Sequence, residues 1–188
     1  MVYKHKLLSI TTLALAGLLT FVMASAFHVD NKISAPLSDL PDAFMEDVVA
    51  LVFDLQGKPK MKIVAPKMVH FAKKDTTQLT TPQLTLYRKS PIPWYITSKY
   101  AEATEGADHV NFWEDVMVQH AADQHNPATV IKTSTLTVLP NAETAETNEA
   151  ITMIQPNIVI KGVGMRADMN SGDIQLLSQT RGEYVPNS

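Results

Sequence analysis

Three histidines and two aspartates lie close together in the sequence and are the first candidates for chemistry: His109, Asp115, His120, Asp123 and His125. Imidazole and carboxylate groups bind metal ions or transfer protons, but a metal site needs at least two of them to face inward on adjacent strands. His120 and His125 flank a polar turn, so we predict that both are solvated. The sequence therefore predicts no metal site in this segment.

Acids and arginines elsewhere give no clearer site. Glu102, Glu105 and Asp108 cluster around a turn, where acids are ordinary surface residues, so we do not expect the carboxylate pair of a glycosidase. Arg166 and Arg181 have the chemistry to bind phosphate groups, but a solvated strand face explains them equally well. We infer no catalytic residue from either group.

Composition excludes several further classes of site. The chain has no cysteine, which excludes disulfides, a thiol nucleophile and a cysteine-ligated metal. It has no glycine-rich phosphate loop, no G-x-S-x-G and no H-E-x-x-H. Its 16 basic and 19 acidic residues give a net charge of −3, which argues against a general nucleic-acid binder. We expect no enzyme activity, no cofactor and no nucleic-acid partner.

The 188 residues allow one domain plus an appendage, and the appendage lies at the N-terminus. Leu7 to Phe27 is a run of 21 uncharged residues, which as a helix spans about 31 Å and crosses a hydrocarbon core of about 30 Å. Lys4 and Lys6 precede it, so the positive-inside rule places residues 1–6 in the cytoplasm and the remainder outside. The sequence thus predicts a single transmembrane helix at 7–27.

A cleaved signal peptide is the competing interpretation of this segment. Ala24-Ser25-Ala26 resembles a cleavage site, although the apolar stretch of 7–23 is longer than the usual signal core of about 7–15 residues. Both interpretations export residues 28–188. Within them, 28–43 contains two prolines and no periodicity, and we interpret it as a linker before a domain at 44–188.

The exported domain has the pattern of an all-β protein. Short β-branched or alternating segments recur at spacings of about 8–12 residues, which predicts an antiparallel sandwich, barrel or open roll. No helical period of useful length follows Phe27. The predicted strands are 48–54, 60–65, 67–73, 83–87, 94–100, 110–118, 129–139, 151–154, 158–169 and 174–184.

Three features of this domain lead to further expectations. Val48 to Val52 is apolar at both parities, so we expect that strand to be covered on both faces. Pro140 to Glu149 is acidic and polar, and we expect it to be a connection that crosses a sheet edge. The chain has nine methionines, which suit either a packed core or a surface for irregular partners. The interior is therefore either a plain core or an apolar trough.

The closing hairpin resembles the LptC family, the single-span inner-membrane component of the lipopolysaccharide export bridge of Gram-negative bacteria. It combines a Gly-x-Gly-x-x-Ala-Asp strand at Gly162–Asp168, an Asn-Ser-Gly turn at Asn170–Gly172 and an Arg-Gly-x-Tyr ending at Arg181–Tyr184. Family members tend to have glycine where this chain has Glu114. The resemblance extends through Asp54–Gly57, Thr81–Leu84 and Ile92–Trp94.

The resemblance implies a fold, a location and a role. The fold is a twisted antiparallel β-jellyroll, an open roll of two sheets around a trough, in the periplasm on a retained inner-membrane anchor. The role is to receive lipopolysaccharide from the LptB/LptF/LptG ABC transporter and to pass it to periplasmic LptA. A membrane-tethered scaffold with a dry β core, which only links partner proteins, remains the alternative.

The resemblance also implies two sets of site residues. By correspondence with the family, Val48, Leu79, Ile174 and Tyr184 bind lipopolysaccharide along the trough; the alternative is that they are packing residues. An unbroken period of two places Ile174 and Tyr184 on one face, whereas the parity of Leu79 is not determined by its neighbours. The last strand is expected to offer an edge to LptA through Ile174, Gln175, Leu176, Leu177 and Ser178. The first edge, around 47–57, is expected to face the transporter.

Overall fold

The computed structural model describes residues 40–185 except 89 and 125. This part of the chain contains eleven strands and one short 3-10 turn at Glu105–Ala107, which confirms the predicted all-β antiparallel class. No helix in it is long and apolar enough to cross a membrane, and the helix predicted at Leu7 to Phe27 lies outside the described residues. The strands are β1 (Ala43–Phe53), β2 (Pro59–Phe71), β3 (Thr76–Thr80), β4 (Gln83–Leu86), β5 (Trp94–Thr97), β6 (Tyr100–Thr104), β7 (His109–His120), β8 (Thr129–Leu139), β9 (Thr144–Gln155), β10 (Ile158–Asp168) and β11 (Ile174–Tyr184).

The strands form one meander in which chain neighbours are sheet neighbours. β3 and β4 act as one bent strand beside β2, and β5 and β6 act as one bent strand beside β7. The sheet therefore begins at β1 and ends at β11 without a crossover. Among the described residues, β1 pairs only with β2 and β11 only with β10, so both outer edges are unpaired.

Every long strand bends at about the same level, along a line that we call the crease. Register shifts occur there between β7 and β8, β8 and β9, β9 and β10, and β10 and β11. Extra residues of this kind bend a strand and increase its twist. Left-handed backbone marks the line from one edge to the other, at Asp47, Thr81, Glu114, Asp115, Gly164 and Gln179.

The crease divides the sheet into two halves that pack face to face. Half A contains β4 and β5, half B contains β3 and β6, and the long strands contribute one end to each. Inward side chains of both halves belong to one buried cluster, including Ile96 and Ile131 from half A and Phe112 and Leu136 from half B. Burying each such side chain contributes about 1.5–3 kcal/mol, so this shared core holds the fold closed.

The first strand differs from the expectation that both of its faces are covered. β1 is an edge strand, and Val49 and Leu51 on its outer face are 65% and 44% exposed. The expectation was wrong because a strand with apolar residues on both faces can be a central strand or an edge strand whose outer face is exposed. β1 also starts at Ala43, the last residue of the predicted linker.

The segment from Pro140 to Glu149 is only partly the connection that we expected. Thr144 to Glu149 belongs to β9, where Ala145 and Thr147 are buried and Glu146 is exposed. The acids lie on the outer face, and the inward positions carry small residues. Because the inward residues Ala145 and Thr147 are small and only weakly apolar, the alternation of a strand does not stand out in the sequence, which explains the error.

Glu114 takes a backbone conformation that favours glycine, with φ of 60°. This is the position where the resemblance led us to expect glycine. We predict that Glu114→Gly stabilises the full chain by up to about 1 kcal/mol, because glycine has no Cβ penalty at positive φ. Urea denaturation measures the change. Glu102→Gly on β6, where φ is not positive, is the matched control and should destabilise the protein; a loss of stability in both variants would contradict the prediction.

Candidate functional site

The residues predicted to contact lipid all face the interior side of the sheet. Directly opposed residues of antiparallel strands share a face. Val48 lies opposite the buried Ala65, and Ile174 lies opposite the buried Ala167. Leu79 is itself a core residue, only 4% exposed, which settles the parity that the sequence left open.

Tyr184 reaches the same face by an irregular path. The period of two is broken at Gln179, where φ is 52° and the register with β10 shifts. Beyond the break, Gly182 lies opposite Ile160, which packs against the core, and Tyr184 follows two residues later. Tyr184 is nevertheless 72% exposed, because nothing in the described chain covers the interior surface at this end.

The interior apolar surface is continuous and emerges at both sheet edges. It is buried in the middle and becomes exposed beside β1, where Met45 and Val52 face inward but are 48% and 41% accessible. At the other edge, Ile174 and Leu176 are half-buried and Tyr184 is exposed. The arrangement suits an extended apolar ligand that runs along the roll, or similar rolls stacked on each end.

The two unpaired edges are a second feature of the site. An edge strand presents a row of free N–H and C=O groups that pair readily with a strand of another chain. β11 carries the predicted edge residues, of which Gln175, Leu177 and Ser178 are exposed. β1 offers the other edge, over Ala43–Phe53.

The side opposite the crease, which we call the mouth, is where the hairpins of the two halves meet. Arg88, which follows β4 in half A, donates from Nη2 to the carbonyl oxygen of Pro140 in half B at 3.2 Å. Lys60 of half A contacts the side chain of Asn141, which in turn contacts Asp108. Sequence reasoning did not predict these contacts because no local motif marks them; only the bend of the sheet brings the residues together.

The histidine cluster differs from the prediction at one position. His120 is only 3% exposed, so the expectation that it is solvated was wrong. It stacks on Trp94 with ring centroids 4.5 Å apart, and its Nε2 lies 3.6 Å from Asp123 Oδ2. The polar turn that suggested exposure folds over the ring. His109 is exposed, Asp115 pairs with Lys99 at 3.0 Å, and His125 lies outside the described residues.

The polar groups around His120 are not arranged for nucleophilic catalysis. Ser90 Oγ donates to Asp123 Oδ2 at 2.7 Å, so the hydroxyl is bound to the carboxylate rather than to the imidazole. A serine nucleophile requires the base to accept its proton directly. Within residues 40–185, apart from 89 and 125, no group of three His, Asp or Glu side chains is placed to hold a metal ion.

The remaining candidate charges are dispersed over the surface. Glu102 accepts a long hydrogen bond of 3.4 Å from Gln78, and Arg166 Nε lies 3.6 Å from Glu146. Arg181 is exposed on β11, and Asp108 contacts Asn141 at the mouth. The structure does not bring these residues together into one site.

Comparison with known proteins decides the family. The chain matches the family described as "Lipopolysaccharide-assembly, LptC-related" over residues 9–185. The chain belongs to this LptC-related family. The match covers most of the N-terminal run and the whole roll, and it confirms the resemblance inferred from the closing hairpin. No curated protein gives a significant match.

A solved structure shares the fold of this LptC-related protein. It is the crystal structure of LptH from Pseudomonas aeruginosa, described as the LptA-homologous periplasmic component of the lipopolysaccharide transport device. The TM-score is 0.54 at 9% identity, over 67% of this chain and 95% of LptH. Family membership gives the protein a role in lipopolysaccharide transport.

A charged cluster holds the start of β1 on β2. His70 Nδ1 lies 2.8 Å from Asp42 Oδ1, which also accepts from the backbone N–H of Ala72 at 3.0 Å, and His70 Nε2 lies 3.7 Å from Asp75. The hydrogen bond with Asp42 raises the pKa of His70, and the same bond lowers the pKa of Asp42. Both shifts favour the ionised pair in the folded protein.

We predict that the attachment of β1 to β2 depends on pH. The contribution of His70 is complete below its usual pKa of 6.5 and is lost as pH rises through its raised pKa in the folded protein. The contribution of Asp42 is complete above 3.8 and is lost as pH falls through its lowered value. Amide-exchange protection factors at Ala43 should therefore be lower at pH 8.5 than at pH 5.5. The same decrease in the protection factor at Ala43 in the Asp42→Asn variant would contradict an origin in the His70–Asp42 pair.

Proposed function

We propose that this LptC-related protein conducts lipopolysaccharide through the periplasm, with the acyl chains held in its interior. In this proposal the lipid arrives at the β1 end from the LptB/LptF/LptG ABC transporter and leaves at the β11 end for LptA. The observation that carries the proposal is the apolar interior, which runs between two unpaired sheet edges and emerges at both. An anchor at Leu7 to Phe27 keeps the roll beside the inner membrane.

The energetics of such a path are favourable. Each CH₂ group removed from water contributes about 0.8 kcal/mol, so a lipid with several acyl chains does not diffuse freely through water. A row of similar apolar sites lets the chains slide without a deep trap. In this proposal Val48 lies at the β1 end of the row, Leu79 lies two strands further in on β3, and Ile174 and Tyr184 lie at the β11 end.

A scaffold role is the second candidate, and the burial of Leu79 favours it. The middle of the roll is a packed core rather than an open jellyroll trough, so lipid contact there requires the two halves to separate. A scaffold needs only the edges and a dry core. Lipopolysaccharide that co-purifies with the full chain distinguishes the two functions.

We predict that photo-reactive amino acids at the four interior positions capture lipopolysaccharide during transport. Each is placed singly at Val48, Leu79, Ile174 or Tyr184 in cells with an active transporter, and the adduct is detected by immunoblot. The reason is that all four face the interior. Probes at the exposed Lys132 and Lys161 are the controls and should give no adduct. Equal yields at the lysines would contradict the interior path.

We predict that the free edge of β11 binds LptA through backbone hydrogen bonds. Gln175 and Ser178 are three residues apart, so their N–H groups point to opposite sides of the strand. Proline at either position removes one donor, which belongs either to the β10 ladder or to the free edge. A proline that removes a free-edge donor leaves the β10 ladder intact, so that variant should melt at the wild-type temperature. The same variant should no longer bind LptA in a pull-down.

Alanine at the same two positions is the matched control, since it removes the side chain and keeps the N–H group. Both alanine variants should retain LptA. If the proline variant with normal melting also retains LptA, β11 is not the binding edge.

A further inference from the structure

A small set of polar contacts bridges the two halves across the mouth of the roll, in addition to the shared core. Besides Pro140, the guanidinium of Arg88 contacts the carbonyl oxygens of Tyr87 at 3.0 Å and Lys60 at 3.4 Å, so it ties half A to half B. The Lys60–Asn141 contact lies alongside it. We call these contacts between the Lys60 and Arg88 side chains and half B the clasp.

The clasp holds its cations with neutral partners. Arg88 donates its side-chain hydrogen bonds to backbone carbonyls, and its Nε is buried without a hydrogen-bond partner. Burial lowers the pKa of Arg88, and the nearby Glu143 only partly opposes this effect. A cation in these surroundings gains from an anionic partner, because an anion adds a Coulombic attraction that a neutral carbonyl lacks.

Opening the roll at the mouth leaves the strand ladders intact. The ladder hydrogen bonds run between neighbouring strands within each half, and the crease joins the halves through continuous backbone. Separating the halves at the mouth therefore breaks the clasp and exposes core, but it breaks no ladder. The two outer edges give access to the ends of the interior but not to buried positions such as Leu79 on β3.

We propose that the clasp is a gate, displaced when phosphate groups of an incoming lipopolysaccharide take over Lys60 and Arg88. This inference rests on the proposed function. With the acyl chains inside the roll, the phosphorylated sugars lie at the mouth, where the two cations are located. The planar guanidinium suits phosphate and binds it through two parallel hydrogen bonds.

A reversible disulfide across the mouth tests the gate. A Cβ built on Gly172 in half B lies 3.0 Å from Asn126 Cγ in half A, close to the separation of about 3 Å between one cysteine's Cβ and the other's sulfur in a disulfide. The natural chain has no cysteine, so Asn126→Cys/Gly172→Cys can form only this bridge within the chain. The reduced form carries the same strain at Gly172, where φ is +83°, and serves as the matched control.

Binding of lipopolysaccharide to the full chain in detergent is then measured before and after reduction. We expect the oxidised form to bind at least tenfold more weakly and reduction to restore binding. Equal binding by both forms overturns the gate and leaves the proposed function intact. Absence of binding to the wild-type chain overturns the proposed function, and with it this inference.

A second measurement tests the exchange of partners. Binding of lipopolysaccharide and of its dephosphorylated form is measured for the wild-type chain, for Arg88→Gln and for Arg166→Gln. Arg166 is the control position, since it is exposed and lies away from the mouth. We expect the wild type and Arg166→Gln to bind the phosphorylated form about tenfold more tightly than the dephosphorylated form. We expect Arg88→Gln to bind both forms equally. If Arg88→Gln does not fold, Arg88→Lys, which keeps the charge without the fork, should retain a reduced preference. An unchanged preference in the Arg88 variant that folds overturns the role of this cation.

Discussion

The structure depends on one constraint: a continuous antiparallel meander must bend at the same level in every strand. If one strand stayed straight, its ladder hydrogen bonds to both neighbours would be lost at the crease. The chain meets this constraint with extra residues and left-handed backbone at several strands, such as at Thr81, Glu114 and Gly164. The Thr81 N–H bonds to the Lys99 carbonyl at 2.6 Å, and the Lys99 N–H bonds to the Glu114 carbonyl at 2.8 Å, so pairing continues across the bend.

The crease creates both the interior and its openings. Folding one sheet over places the inward residues of both halves in a shared core and leaves β1 and β11 as free edges. It also brings distant hairpins together at the mouth, where Arg88 contacts Pro140. A closed core favours stability, whereas conducting a lipid requires the halves to part. A hinge of continuous backbone limits the cost of opening to exposed core and a few polar contacts, because every ladder stays intact.

The sequence predicts those parts of the fold that depend on local pattern. Alternation located most strands, and the position of Glu114 drew attention to backbone that proved to be left-handed. What it could not predict depends on neighbours far along the chain. Whether Val49 is covered depends on what lies beyond β1, and the burial of His120 depends on Trp94. The mouth contacts join residues far apart in the chain, 52 positions for Arg88 and Pro140 and 81 for Lys60 and Asn141, and no local pattern marks them.

Several residues of the motifs that revealed the family lie at turns and at the crease. In Asp54–Gly57, Asp54 Oδ1 accepts from the N–H groups of Gln56 and Lys58 at 2.9 and 2.8 Å. Gly164 of the closing motif has φ of +76° and leaves no room for a Cβ, which would lie 2.9 Å from Leu177 Cδ1. Such positions accept few residue types, whereas core positions accept many apolar ones. A fold shared with LptH at 9% identity is therefore expected: bends and turns specify the path of the sheet, and the interior needs only to remain apolar.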